Sequence, residues 1–291
     1  MTLTLYKEIM SLPTISVSEN LSELPLCSGS PVKLALENAH PRDVNISFEE
    51  GPHIYTVMGE RGTYTSVTTW VHQQFPHFDQ NAIINKILSN KKMSDPKYKY
   101  YGKTRADIEK EWEDNRVSAS GAGTQMHYNI ECYYNGMDVS NDSVEYTYFQ
   151  RFVADLPWLE AYRTEWMVYH EDMKISGSID MVFRDNRDGS FYIYDWKRSK
   201  EIKFDDNWCD YGTGACVKTL PNLNFWHYSL QLGIYKGILE SKYGIKIAGM
   251  FLVVLHPDND SYQLIETADL TKEIGDLFEE RRQKVSKLVP T

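Results

Sequence analysis

Cysteine is scarce in this chain, and so are the patterns that usually accompany it. The four thiols in 291 residues (Cys27, Cys132, Cys209 and Cys216) include no CxxC pair, which excludes a disulfide-stapled scaffold and argues against a structural zinc site. Long apolar runs are missing too. The longest, such as Ala248 to Leu255, fall far short of the ~20 residues that span a bilayer as a helix. The opening MTLTLYKEIMSLP has neither secretory nor Arg-rich transit character, so a soluble intracellular protein without a membrane partner is expected. Positive charge is also short. With 31 Lys and Arg against 41 Asp and Glu, the net charge is −10, which argues against nucleic acid as a partner of the surface at large. No repeat or low-complexity tract occurs, and 42% hydrophobic with 25% charged residues suits a globular protein with a sizeable core.

What is present concentrates between Thr164 and Lys203. Runs rich in β-branched and aromatic residues (Glu165 to His170, Lys174 to Phe183, Phe191 to Lys197) are separated by Glu171-Asp172 and by Asn186-Arg187-Asp188-Gly189, which predicts a three-stranded antiparallel meander. Period-two alternation then places Ser178, Asp180 and Val182 on one face and Ile179, Met181 and Phe183 on the other. In the third strand Phe191, Ile193, Asp195 and Lys197 share a face opposite Tyr192, Tyr194 and Trp196. Two acids and a lysine thus project from an otherwise apolar sheet, where burying each charge costs several kcal/mol unless it is paired or metal-bound. A surface hairpin with solvated acids accounts for these residues equally well on their own.

The flanks supply helices. Asp79 caps a helix to about Asn90, a second is expected from Thr104 to about Ala119, and a third, capped at Thr124, runs to Gly136. His127 and Glu131 stand one turn apart on that third helix, a stacking that favours a metal site over a structural histidine. An amphipathic helix covers Val144 to Leu156. After a loop from Asp205 to Asn224, another helix puts Leu230, Ile234 and Ile238 toward the core, with Gln231 and Tyr235 on a second stripe. Ile245 to Leu255 reads as a buried strand, and Thr271 to Leu288 as a closing amphipathic helix. Lys86, Lys91, Lys92, Lys97, Lys99, Lys103 and Arg105 interleave with Tyr98, Tyr100 and Tyr101, a combination suited to a nucleic-acid strand, or to a solvated lysine-rich loop. Residues 1–42 form an N-terminal extension, and 43–291 one domain with its core at 121–255.

In order, the chain carries Gly123-Thr124-x-x-His127-x-x-x-Glu131, Gly177-x-x-Asp180, Asp195-x-Lys197 and Gln231-x-x-x-Tyr235. This series resembles the RecB-type branch of the PD-(D/E)XK nuclease superfamily, which includes RecB nuclease domains, CRISPR-associated RecB-like exonucleases and mitochondrial genome maintenance exonucleases. Ser66-Val67-Thr68-Thr69 is a weaker echo of an element ahead of that core. The resemblance implies an α/β fold with a restriction-endonuclease-like core, a mixed central sheet flanked by helices. It implies that His127, Asp180, Asp195 and the carbonyl of Trp196 bind Mg²⁺ or Mn²⁺, that Lys197 orients or deprotonates the attacking water, and that Glu131 binds a second ion or steadies His127. Ser66, Thr68, Thr124, Gln231 and Tyr235 are then expected to contact DNA, the last two alternatively supporting Lys197. Glu165 completes an acidic rim or ends a strand in a salt bridge. No iron–sulfur cluster is expected, because the closely spaced cysteine set is missing. The implied activity is a metal-dependent DNA exonuclease acting on a single strand or duplex end in recombination, repair or replication. The alternatives are an endonuclease on DNA or RNA and a nucleic-acid-binding relative that does not cut.

Overall fold

The computed structural model describes residues 31–288. Most of the expected N-terminal extension, with Cys27, lies outside the described residues, but its last part does not. Lys33–Glu37 forms α1, which buries Leu34 and donates the Leu34 amide to Asn135 Oδ1 at 3.0 Å.

The chain then builds a small antiparallel sheet from β1 (Ile46–Glu49), β2 (Ile54–Val57) and β3 (Glu60–Arg61). A two-residue strand, β4 (Thr65–Ser66), runs straight into α2 (Val67–His72), with the Ser66 hydroxyl accepting the Thr69 amide at 3.1 Å. Asp79 caps α3 (Gln80–Leu88) through the Ala82 amide, as the sequence predicts.

The next element corrects the sequence reading. The two helices expected around Trp112 and His127 are one 30-residue helix, α4 (Arg105–Tyr134). Its start is fixed by a reciprocal capping box between Thr104 and Asp107. Thr124 is therefore not a cap but a buried mid-helix residue. The helix continues through Gly121 and Gly123, each costing about 1 kcal/mol relative to Ala, because its C-terminal half is anchored by Met126 and Ile130 in a core.

α5 (Val144–Asp155) precedes the meander of β5 (Leu159–His170), β6 (Ile175–Asp185) and β7 (Phe191–Lys197), which forms as predicted, with β5 longer than expected. α6 (Asn224–Ile238) then crosses over to β8 (Ile247–Val254), parallel to β7, and β9 (Gln263–Glu266) and α7 (Thr271–Leu288) close the chain. The six strands β4 to β9 make one mixed sheet, in the order β4-β6-β7-β8-β9 with β5 also against β6.

Helices cover both faces. On one, Trp70 of α2, Leu230 and Ile234 of α6 and Ile274 and Phe278 of α7 pack on Val182, Ile193 and Leu252. On the other, Met126 and Ile130 of α4 and Phe149 and Phe152 of α5 pack on Met181, Phe183, Tyr194 and Trp196. The protein is thus mixed α/β, with a mixed sheet between helical layers. Strict alternation fails within β6. Ile179 belongs to the first core, together with Val182, while Met181 and Phe183 belong to the second. β6 changes face between Ile179 and Val182, at Asp180.

Candidate metal centre at a strand fork

The change of face coincides with a fork in the sheet. Along one edge of β6, β5 pairs from His170 with Ile175 to Leu159 with Asp185. The opposite edge is shared by two strands: β4 pairs in parallel at Ile175 and Ser176, and β7 pairs in antiparallel fashion from Met181 to Arg184. Between them, on that edge, Gly177 to Asp180 has no strand beside it among the described residues. Continuing the β6–β7 register would put Asp180 opposite Asp195. Instead, the Asp180 carboxylate accepts the Trp196 amide at 3.1 Å, and β7 diverges while staying paired to β8 through Lys197 and Val254.

α6 fills the interval. A Cβ on Gly177 would lie 2.7 Å from the Tyr235 hydroxyl and 2.8 Å from its ring, so the residue must be glycine for the tyrosine to seat there. Burial holds the Tyr235 phenol well above its ordinary pKa, and the charges of Tyr55, Asp195 and Glu165 add to the effect. Burial also raises Tyr55 of β2, with Glu165 contributing. Two neutral phenols therefore border the carboxylates.

Three elements deliver the ligand-type groups. From α4, His127 points its Nδ1 at Asp180 Oδ2 (3.5 Å) and Glu165 Oε1 (3.7 Å). Among the described residues, these three form the one group of His, Cys, Asp and Glu side chains whose ligand atoms all lie within 4.8 Å of one another. Glu165 is held by the Ser178 hydroxyl, which donates to Oε2 at 2.9 Å. Its φ of 43° is left-handed, in the middle of a strand. Such backbone costs of order 1–3 kcal/mol and persists where its surroundings over-determine it.

The geometry suits a cation. Two ligands each roughly 2.1 Å from one ion stand roughly 3.0–3.4 Å apart at octahedral or tetrahedral angles, close to the spacings around His127. Its Nδ1 is buried and makes no hydrogen bond, whereas buried polar atoms are normally satisfied. An imidazole with two carboxylates is a donor set for a divalent metal, compatible with Mg²⁺, Mn²⁺ or Zn²⁺.

Beside this group, Asp195 and Lys197 form a buried ion pair of 2.6 Å, and the Lys197 ammonium lies 4.5 Å from the centre of the Tyr228 ring of α6. Trp196, between them in sequence, ties the pair to Asp180 through its amide, while its ring packs in the second core.

The other expected site residues are dispersed. Glu131 lies buried one turn beyond His127, outside the three-residue group. Gln231 and Tyr235 are core residues behind the fork, not surface contacts. The Ser66 hydroxyl caps α2 and donates to Thr69 Oγ1 at 2.7 Å, and Thr68 is half-buried 3.4 Å from it. Glu165, expected at an acidic rim or in a salt bridge at a strand end, lies in the three-residue group itself. The missing signal was the length of the first turn. With residues 171–174 turning, His170 pairs with Ile175 and the register carries Glu165 opposite Asp180.

No family model matches the chain, and no curated protein matches it. Among solved structures, SSO0001 is similar at a TM-score of 0.27, with 15% identity over 64% of this chain and 71% of that one. Likeness at that level carries no argument about function. No helix among the described residues is long and apolar enough to cross a membrane.

Proposed function

We propose that this protein is a divalent-metal-dependent nuclease with a PD-(D/E)XK core of the RecB type, hydrolysing DNA from its ends. The observation that carries the reading is the fork: Glu165 and Asp180 stand 3.7 and 3.5 Å from His127 Nδ1, beside the Asp195–Lys197 pair and joined to it through the Trp196 amide. A cation bound there would supply a Lewis acid for a phosphoryl oxygen and for water.

The chain's own residues do the rest. The Trp196 amide donates to Asp180 Oδ2, the same oxygen that faces His127 Nδ1, so the hydrogen bond fixes that oxygen at the ion position. Ser178 and the strained backbone hold Glu165 in the same sense. Asp195 holds the Lys197 ammonium within the fork, where it steadies the entering water and the charge that builds on the phosphoryl oxygens as water attacks phosphorus and the bond to the leaving oxygen breaks. The phenols of Tyr55 and Tyr235 stay protonated and exclude water from behind.

The test is hydrolysis of end-labelled linear DNA and of closed circular DNA with Mg²⁺ or Mn²⁺. Linear DNA should be degraded and circles spared, and Asp180→Ala and Lys197→Ala should each lose activity on the order of a hundredfold or more. Unchanged cleavage by either variant refutes the catalytic assignment. Rapid nicking of closed circles refutes action from ends and leaves an endonuclease.

A further inference from the structure

The N-terminal half of α4 stands apart from the body. Between Ile108 and Gly123 this helix has no buried residue. Its far end carries a small core of its own. Ile84 of α3 and Ile108 are buried, Phe78 meets Trp112 at 6.3 Å between ring centres, and the Trp112 indole donates to the Tyr100 hydroxyl at 3.1 Å. Arg105 bonds Asn81 and Asn85 of α3. The result is a projecting arm.

The arm is electrostatically unlike the rest of the protein. Residues 80–105 carry seven Lys and Arg against Asp95 alone, in a chain of net charge −10, whereas residues 106–116 of α4 add five acids against Lys110 and Arg116, so the arm's positive charge lies on α3 and the loop after it. Three of these cations are engaged locally. Lys99 and Lys103 pair with Glu111, and Arg105 pairs with Glu109 at 3.0 Å. Lys86, Lys91, Lys92 and Lys97 are exposed, and no described ion pair takes up their ammonium groups. Tyr101, half of its surface open to solvent, lies among them. Cations along a path suit a phosphate backbone, and an open ring suits an unpaired base. The acidic surface elsewhere, including that of α4, would repel the same backbone and so direct it to the cations of α3 and the loop after it.

Resting on the proposed nuclease reading, we propose that this arm is a docking surface for a single nucleic-acid strand, with Lys86, Lys91, Lys92 and Lys97 on its phosphates and Tyr101 against a base. The test measures binding of the full chain to a labelled oligothymidylate in EDTA, where no metal-dependent cleavage interferes, across a series of salt concentrations. Each phosphate contact contributes roughly 0.7 to the slope of log affinity on log salt. Replacing all four lysines by Ala should therefore flatten the slope by about 3, while replacing them by Arg preserves it.

Tyr101→Ala should weaken binding roughly fivefold to a hundredfold with an unchanged slope. Circular dichroism and melting of each variant confirm that the fold is kept. An unchanged slope in the four-Ala variant overturns the proposal. So does lysine-dependent binding to phosphatidylserine vesicles that is as tight as to DNA, which would assign the arm to a membrane surface. Tighter lysine-dependent binding to matched duplex, unaffected by Tyr101→Ala, overturns the single-strand assignment. Because binding is read without turnover, arm-dependent binding by a protein that cuts nothing would refute the nuclease reading alone. Cleavage with an unaltered slope would refute the arm alone.

Discussion

The two ends of the β6–β7 pair are built from the same two strands and behave oppositely. From Met181 to Arg184 the strands are zipped, and Met181, Phe183 and Tyr194 fill a core against α4 and α5. From Gly177 to Asp180 and from Asp195 to Lys197 they diverge, and acids, a lysine and a tyrosine occupy the space. The zipped end gains stability from apolar burial, at roughly 25 cal/mol per Å². At the forked end several charges lie in a low-dielectric setting, which costs energy unless it is compensated. On the proposed reading a bound cation offsets that cost, and the contrast separates residues that hold the fold from those assigned to the site.

Variants should respect that division. The largest effect is expected from Phe183→Ala at the zipped end, about 3–5 kcal/mol of stability by chemical denaturation, with divalent cation binding kept in the folded fraction. At the forked end the sign should reverse. Asp180→Asn and Glu165→Gln relieve like-charge burial, so each should raise the melting temperature of metal-free protein, while Mn²⁺ should stabilise wild type by RT ln(1 + [Mn²⁺]/Kd) and either variant less. A drop in the metal-free melting temperature for both would put these carboxylates on the structural side.

Gly177→Ala tests the seam between the two ends. Its Cβ would crowd the Tyr235 ring, and overpacking of this kind costs about 1–3 kcal/mol. A neutral result would show that Tyr235 does not set the width of the fork.

A pH dependence should arise away from the site. His170, buried at the end of β5, is held down to about 4 by desolvation and then by the nearby Lys242 cation, from an ordinary 6.5. Because its folded pKa is depressed, the unfolded chain takes up the proton first. Stability is therefore full above about 6.5 and falls as the pH drops toward 4, by up to about 3 kcal/mol. His227, held down to about 4 by burial and by His72, adds in the same direction. Denaturation of His170→Gln between pH 7 and 4 should show a shallower loss than wild type. The smallest effect is expected at Gly121→Ala, where a Cβ meets nothing within 4 Å. A gain of about 0.5–1 kcal/mol is expected there from helix propensity.

Sequence alone foretold the meander, the Asp79 cap and the core-facing residues of α6 and α7, because periodicity and turn chemistry are local, and it singled out His127 and Asp180, which the structure brings within 3.5 Å of each other. It misplaced what depends on register and on tertiary anchoring. Glu165 became central only once the turn at 171–174 fixed which residue faces Asp180. The glycines at 121 and 123 read as a helix break, yet packing of Met126 and Ile130 carries α4 through them. Period-two alternation failed at Asp180 because the strand there exchanges ladder pairing for the Trp196 amide. Tyr55 lies too far away in sequence for any local pattern to attach it to the site, whereas Tyr228, one turn before Gln231 on α6, shares the stripe of Gln231 and Tyr235.

The central claim is that His127, Glu165 and Asp180 hold one divalent cation at the fork. Electron paramagnetic resonance of Mn²⁺ titrated into the metal-free protein, with detection of nitrogen coupling, tests it without any substrate. One bound ion is predicted, with an imidazole nitrogen signal that vanishes in His127→Gln and with weaker binding in Glu165→Gln and Asp180→Asn. Binding that shows no nitrogen coupling, or a nitrogen signal that survives His127→Gln, would contradict it.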